Sequence, residues 1–183
     1  MLTILILLIL AFAVYTGARR GLVLQLVYSI SYLASFLVAR HYYQDLAPKL
    51  ELFIPYPSAT IDSKLVFFDE TLSLSLDQAF YAGVSFLVIL LAGILVTRFI
   101  GIFFHSLTFL PLVHQLNWLG GGLLSFVVTY VAVFLLLYLL SLVPLDFIQS
   151  QFESSSLAHW MVEKTPIFSK QMYDLWITKM IHS

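Results

Sequence analysis

Residues 2–41 read LTILILLILAFAVYTGARRGLVLQLVYSISYLASFLVARH, and this stretch decides the fold. Two apolar runs, Leu2 to Thr16 and Leu22 to Ala39, are separated only by Gly17-Ala18-Arg19-Arg20-Gly21. A helix needs about 20 apolar residues to cross the hydrocarbon of a bilayer. Two more such runs follow, roughly Ala79 to Phe104 and Gly120 to Leu145. The pattern predicts an all-α membrane protein with four transmembrane helices, at about 2–17, 22–41, 76–104 and 118–144. These form a transmembrane domain over 1–145, followed by an amphipathic helical tail over 146–183.

Composition points the same way. Of 183 residues 61% are hydrophobic and 10% charged, with a mean hydropathy of +0.96; a soluble domain carries about 25% charge. The formal charge of −1 gives no electrostatic basis for binding nucleic acid. With no cysteine, disulfides and thiolate chemistry are excluded. The first run lacks a basic n-region, and Ala11-Phe12-Ala13, which resembles a cleavage site, lies inside the apolar run. The run is therefore read as an uncleaved first helix.

Gly17 and Gly21 are expected to bracket a tight turn. Residues 42–75 read as a polar loop with Pro48, Pro55 and Pro57 and the carboxylates Asp45, Glu51, Asp62, Asp69 and Glu70. Val66-Phe67-Phe68 is expected to hold that loop against the membrane surface, and Leu72, Leu74 and Leu76 alternate as in a short strand. Ser75-Leu76-Asp77-Gln78 reads as a capping box opening helix three. The charge-free stretch 105–119, with Pro111, is placed in the interface, and Asn117 is expected to cap helix four. In the tail, Thr165-Pro166 reads as an N-cap with proline at the first helical position. Phe168, Met172, Leu175, Trp176 and Met180 then share one face, fit either for the membrane surface or for packing.

Arg19 and Arg20 in a short turn argue that the turn is cytoplasmic and both termini outside, with Arg98 in agreement and Arg40 and Lys49 against. Arg19, Arg20 and Arg98 are candidate headgroup contacts. Arg98 is the single charge well inside a run. It is either functional or close enough to Phe104 to snorkel to the headgroups.

Gln25, Tyr28, Ser29, Tyr32 and Ser35 form a polar stripe on helix two, suited to a solute path or to bonds between helices. Small residues recur at four-residue steps: Ser31 and Ser35; Gly93, Thr97 and Gly101; Gly121, Ser125 and Thr129, preceded by Gly120. In lipid, such residues mark close helix contacts, within a bundle or a homo-oligomer. No histidine is read as an i,i+3 or i,i+4 partner of another histidine or a carboxylate within a helix, so no metal site is expected. There is no G-x-S-x-G elbow and no phosphate-binding G-x-x-x-x-G-K-[ST].

Arg20-Gly21-Leu22-Val23 leading to Val38-Ala39-Arg40-His41-Tyr42-Tyr43, then Leu116-Asn117-Trp118-Leu119-Gly120-Gly121, then Ser154-Ser155-Ser156-Leu157 with Pro166, resemble the CvpA family, the colicin V production proteins. The chain departs from the family pattern at Trp118, where arginine is usual, and at Val128-Thr129, where a basic residue and glycine are usual. The resemblance implies a bacterial inner or plasma membrane protein linked to production or export of a peptide toxin and to envelope homeostasis. It implies no enzymatic activity, cofactor or catalytic residue. The expected partners are the lipid bilayer and a membrane protein or second copy. The alternative is a small oligomeric channel or transporter using the polar face of helix two, and a membrane enzyme is the weakest reading because no carboxylate converges with a histidine.

Overall fold

The computed structural model describes residues 1–57, 65–68, 75–102 and 114–181. Leu72, Leu74, Pro111, His105, Asp62, Asp69 and Glu70 lie outside them. The described residues are mostly helical, with no strand among them. Four helices are long and apolar enough to cross a membrane: α1 (Leu2–Arg20), α2 (Leu22–Leu50), α3 (Leu76–Gly101) and α4 (His114–Ser141). Large apolar side chains such as Leu8, Phe12, Leu33, Leu95 and Leu123 stand exposed on all four. Such exposure is costly in water and costs nothing in lipid. The protein is an all-α membrane protein.

Five boundaries differ from the sequence reading, two of them the ends of α4, which spans 114–141 instead of 118–144. α1 continues through Arg20, because Gly17 is helical and Gly21 alone makes the turn. α3 ends at Gly101 instead of 104. The largest change is at 42–50, read as loop but continuing α2 through Pro48. Proline in a helix costs about 3 kcal/mol where it breaks the interior ladder. Here it lies in the last turn, and Ala39, Tyr43 and Ala47 form a buried stripe, with the Tyr43 hydroxyl donating to the Leu175 carbonyl at 2.8 Å. Burying one aromatic side chain contributes about 1.5–3 kcal/mol, enough to override the local signal.

The chain divides into two compact units. Unit 1 holds residues 1–4, 42–87 and 134–183; unit 2 holds 5–41 and 88–133. In unit 1 the tail forms α5 (Asp146–Glu153), α6 (Ser156–Lys164) and α7 (Phe168–Met172), which widens into a π turn over Tyr173–Thr178 before ending at Lys179–Ile181. Trp176 is fully buried against Phe86 and Tyr138, at ring separations of 5.7 and 5.5 Å. Gly83 permits that approach, since a Cβ there would lie 3.0 Å from the indole. The apolar tail face therefore packs inside unit 1. Leu175, Trp176 and Ile177 are consecutive buried residues because the π turn rotates the chain between them.

Thr165 does not cap the last helix. Its hydroxyl donates to the Met161 carbonyl at 2.6 Å, which keeps Thr165 at the end of α6. The turn is displaced to Ile167, a β-branched residue at φ 69°. Ser155 caps α6 instead, accepting from the Ala158 N–H, and its hydroxyl lies 2.8 Å from that of Thr3. Val66-Phe67-Phe68 docks on the tail. Phe67 packs on Phe152 and His159, and Gln149 accepts from the Val66 N–H while donating to the Val143 carbonyl.

In unit 2, α1 and α4 run antiparallel in backbone contact. Gly17 meets Gly121 and Ser125, Gly21 meets Asn117, and the Ser125 hydroxyl donates to the Ala13 carbonyl at 2.8 Å. A Cβ on Gly121 would stand 2.5 Å from the Gly17 carbonyl oxygen. On Gly122 it would meet only ordinary contacts at 3.4 Å and beyond. Gly121→Ala should therefore lower stability by about 1–3 kcal/mol through overpacking. Gly122→Ala should be neutral or stabilise by up to about 1 kcal/mol through helix propensity. Thermal unfolding of the two variants in detergent measures the contrast.

Tyr56, outside the spans, donates to the Leu142 carbonyl at 2.8 Å and packs on Phe80. Burial, then the Asp77 charge and Tyr81, pushes its phenol from the usual 10.0 up to about 12. The fold favours the protonated form, so this contact is intact below pH 10 and is lost as pH rises through about 12. The tyrosinate absorbance of the wild type minus that of Tyr56→Phe should show a difference midpoint near pH 12, whereas a water-exposed phenol would give one near 10.

Candidate functional site

The α1–α2 turn and the first turns of α4 make one junction in unit 2. Gly21, at φ 81°, donates its N–H to the Gly17 carbonyl and accepts from the Gln25 N–H, both at 3.1 Å. That left-handed cap ends α1 and the same residue opens α2. The first N–H groups of a helix lack partners within it. Here the Leu22 N–H donates to Asn117 Oδ1 at 2.7 Å. Asn117 thus caps α2 across the bundle and not its own helix, which already begins at His114.

The arginines occupy helix ends. Arg19 is exposed and lies along α1, with a guanidinium nitrogen 3.4 Å from the Tyr15 hydroxyl. Arg20 sits over the Tyr28 ring at 5.6 Å, within cation–π range. Arg98 is exposed in the last turn of α3, about 4.5 Å along the axis from Gly101. All three stand at helix C-termini, where the backbone dipole favours positive charge. Unit 2 contains Arg19, Arg20, Arg40 and Arg98 and no carboxylate, while all ten carboxylates fall in the residue ranges of unit 1.

The small residues lie where helices meet. Gly93 faces Ser35, Gly101 faces Tyr28, and Gly120 faces Leu22. Thr97 is buried and bonds back to the Gly93 carbonyl; Ser31 and Ser35 bond back to Val27 and Ser31. Thr129 is half-buried one turn beyond Ser125. On the polar stripe, Tyr28 and Tyr32 stack at 6.2 Å, and Ser29 donates to the Gln25 carbonyl. Gln25 is buried, and its Oε1 accepts no hydrogen bond. Sequence reading missed Ala13 and Gly17 as half of the α1–α4 seam, although Ala13, Gly17 and Gly21 show the same four-residue spacing.

In unit 1 the tail carries a surface groove of about 400 Å³ bordered by Phe152, Ser156, Trp160 and Lys164. At its rim His159 and Glu163 approach to 3.6 Å as an i,i+4 pair. That pair corrects the expectation that no histidine has such a partner, because α6 is a separately capped helix. Among the described residues no group of three or more histidines and carboxylates is placed to hold a metal ion.

Residues 2–166 match the colicin V production protein family. The chain belongs to that family. It is also 31% identical over 176 residues to the Bacillus subtilis (strain 168) "Uncharacterized transmembrane protein YshB", covering 96% of this chain and 97% of the relative. No solved structure matches. Two of the stretches that carry the family resemblance meet in space here: Arg20-Gly21-Leu22 supplies the turn and Asn117 to Gly121 supplies its cap and seam.

The junction predicts a local cost. Asn117→Ala should leave the Leu22 N–H without its acceptor and lower stability by about 1 kcal/mol, as for other lost N-caps. Asn117→Asp, which keeps an acceptor oxygen, should restore most of that. Thermal melts of the two variants in detergent separate these outcomes.

Proposed function

We propose that this family member is a non-enzymatic accessory protein of the bacterial plasma or inner membrane. It supports production or export of a colicin V-type toxin, and envelope homeostasis, by holding a membrane-protein partner or a second copy of itself. The family description supports the toxin link. The observation that carries the accessory reading is how α2 uses its polar stripe. Tyr28 packs under Gly101 and stacks on Tyr32, and the Ser29, Ser31 and Ser35 hydroxyls bond within the helix. Groups spent in this way do not line a solute path. The arginine-bearing turn faces the cytoplasm and both termini face outward, in keeping with the positive charge of unit 2.

One observation favours a channel instead. Gln25 is 2% exposed with an unpartnered Oε1, and an unmet buried acceptor costs about 1–3 kcal/mol. A passing solute or a second copy would satisfy it. Proteoliposomes holding the purified protein, screened with ions and graded solutes, distinguish the two. The expected result is no leak above empty vesicles, with Gln25→Leu indistinguishable from wild type and with a membrane protein recovered by crosslinking in cells. Leak that disappears in Gln25→Leu overturns the accessory reading and makes α2 a pore wall.

A further inference from the structure

An apolar groove of about 250 Å³ opens on unit 2 between α1 and α4. Buried Ala18 and Gly122 form its floor, and Val14, Trp118, Leu123 and Phe126 its sides. Trp118 follows Asn117, which meets Gly21, so that end of the groove lies at the arginine-bearing turn. Phe126 lies about 12 Å further along α4, at 1.5 Å per residue. Exposed Arg19 directly follows Ala18.

Within a membrane, a groove of this kind takes either a lipid chain or another helix, and charge chooses between them. A second copy related by a two-fold axis along the membrane normal would bring the same patch to itself. It would set the arginines of unit 2 at the same level on both sides, with no unit 2 carboxylate to pair them. An anionic headgroup neutralises them. The exposed indole of Trp118 at the groove mouth suits the headgroup level, where tryptophan is enriched. We propose that this groove binds an acyl chain of an anionic phospholipid, with Arg19 pairing its phosphate.

Gly121 and Gly122 make the test clean. Gly121 is in the seam, whereas a Cβ on Gly122 meets ordinary contacts to Val14 and Ala18 at the groove floor, from which a longer side chain would extend into the groove. The full-length protein, stripped of lipid in detergent, is titrated with phosphatidylglycerol or phosphatidylethanolamine, and bound lipid is read by native mass spectrometry. Phosphatidylglycerol should be retained about fivefold better, the scale of one basic residue at an anionic surface. Arg19→Gln should reduce it to the phosphatidylethanolamine level, and Gly122→Leu should weaken both lipids with the melting temperature preserved. Equal retention of the two lipids by the wild type overturns the proposal. So does Gly122→Leu with unchanged phosphatidylglycerol retention, or with an altered oligomeric mass, which would give the groove to a second copy. Should Gly122→Leu fail to fold, Arg19→Gln decides alone: undiminished preference for phosphatidylglycerol overturns the pairing.

Discussion

The backbone contact of α1 with α4 at Gly17 and Gly121 is the constraint on which unit 2 depends. In lipid no hydrophobic force draws two apolar helices together, so close packing and a few hydrogen bonds must hold them. Both occur here on one ladder. Ala13 meets Ser125, Gly17 meets Gly121, and Gly21 meets Asn117. The steps on each helix are four residues, as an antiparallel pair sharing one face requires. The two ends of the ladder are polar: a serine hydroxyl on the Ala13 carbonyl and an asparagine oxygen on the Leu22 N–H. The glycines set the distance at which those bonds reach, and the bonds fix the register that the glycines alone would leave free to slide.

The same junction explains why so short a connection joins two spanning helices. A chain reversal in an apolar setting leaves N–H groups unpaired, each expensive without water. Gly21 closes one helix with its N–H and opens the next with its carbonyl, and Asn117 takes one of the donors at the start of α2. The arginines flanking that turn are not merely topological signals. Arg20 covers Tyr28, whose ring also lies under Gly101, so the turn is tied to α3 as well as α4.

Much of this was legible in the sequence, because length and hydropathy suffice to mark spanning helices. Four such helices stand where the apolar runs predict them. Boundaries were less legible wherever burial overrode a local signal. Pro48 and the charges around it read as loop, yet the Ala39–Tyr43–Ala47 stripe keeps α2 helical to Leu50. Gly17 and Gly21 around two arginines read as a tight turn, yet Gly17 is helical and belongs to the seam. Asn117 read as a cap for the helix it begins; its true partner lies 95 residues away, which no local pattern encodes. In the tail, the amphipathic face was visible but its register was not. The π turn at Tyr173–Thr178 brings Ile177 beside Leu175 and Trp176, against ordinary helical spacing.

Gly120, Gly121 and Gly122 show how one short run serves three surfaces. Successive residues on a helix point about 100° apart at 3.6 residues per turn. Gly120 accordingly faces Leu22, Gly121 faces the backbone of α1, and Gly122 floors the open groove beside it. Only the middle glycine is held on both sides by backbone that cannot yield. The sequence pattern marks Gly120 and Gly121 alike as helix contacts and does not set one glycine of the run apart from the next. The geometry separates them instead into one position that sets the helix spacing, one that accommodates the neighbouring turn, and one whose missing side chain leaves room for a guest. A Cβ at the last meets only ordinary contacts, so the fold accepts alanine at Gly122, whereas Gly121 fixes the distance between the two backbones.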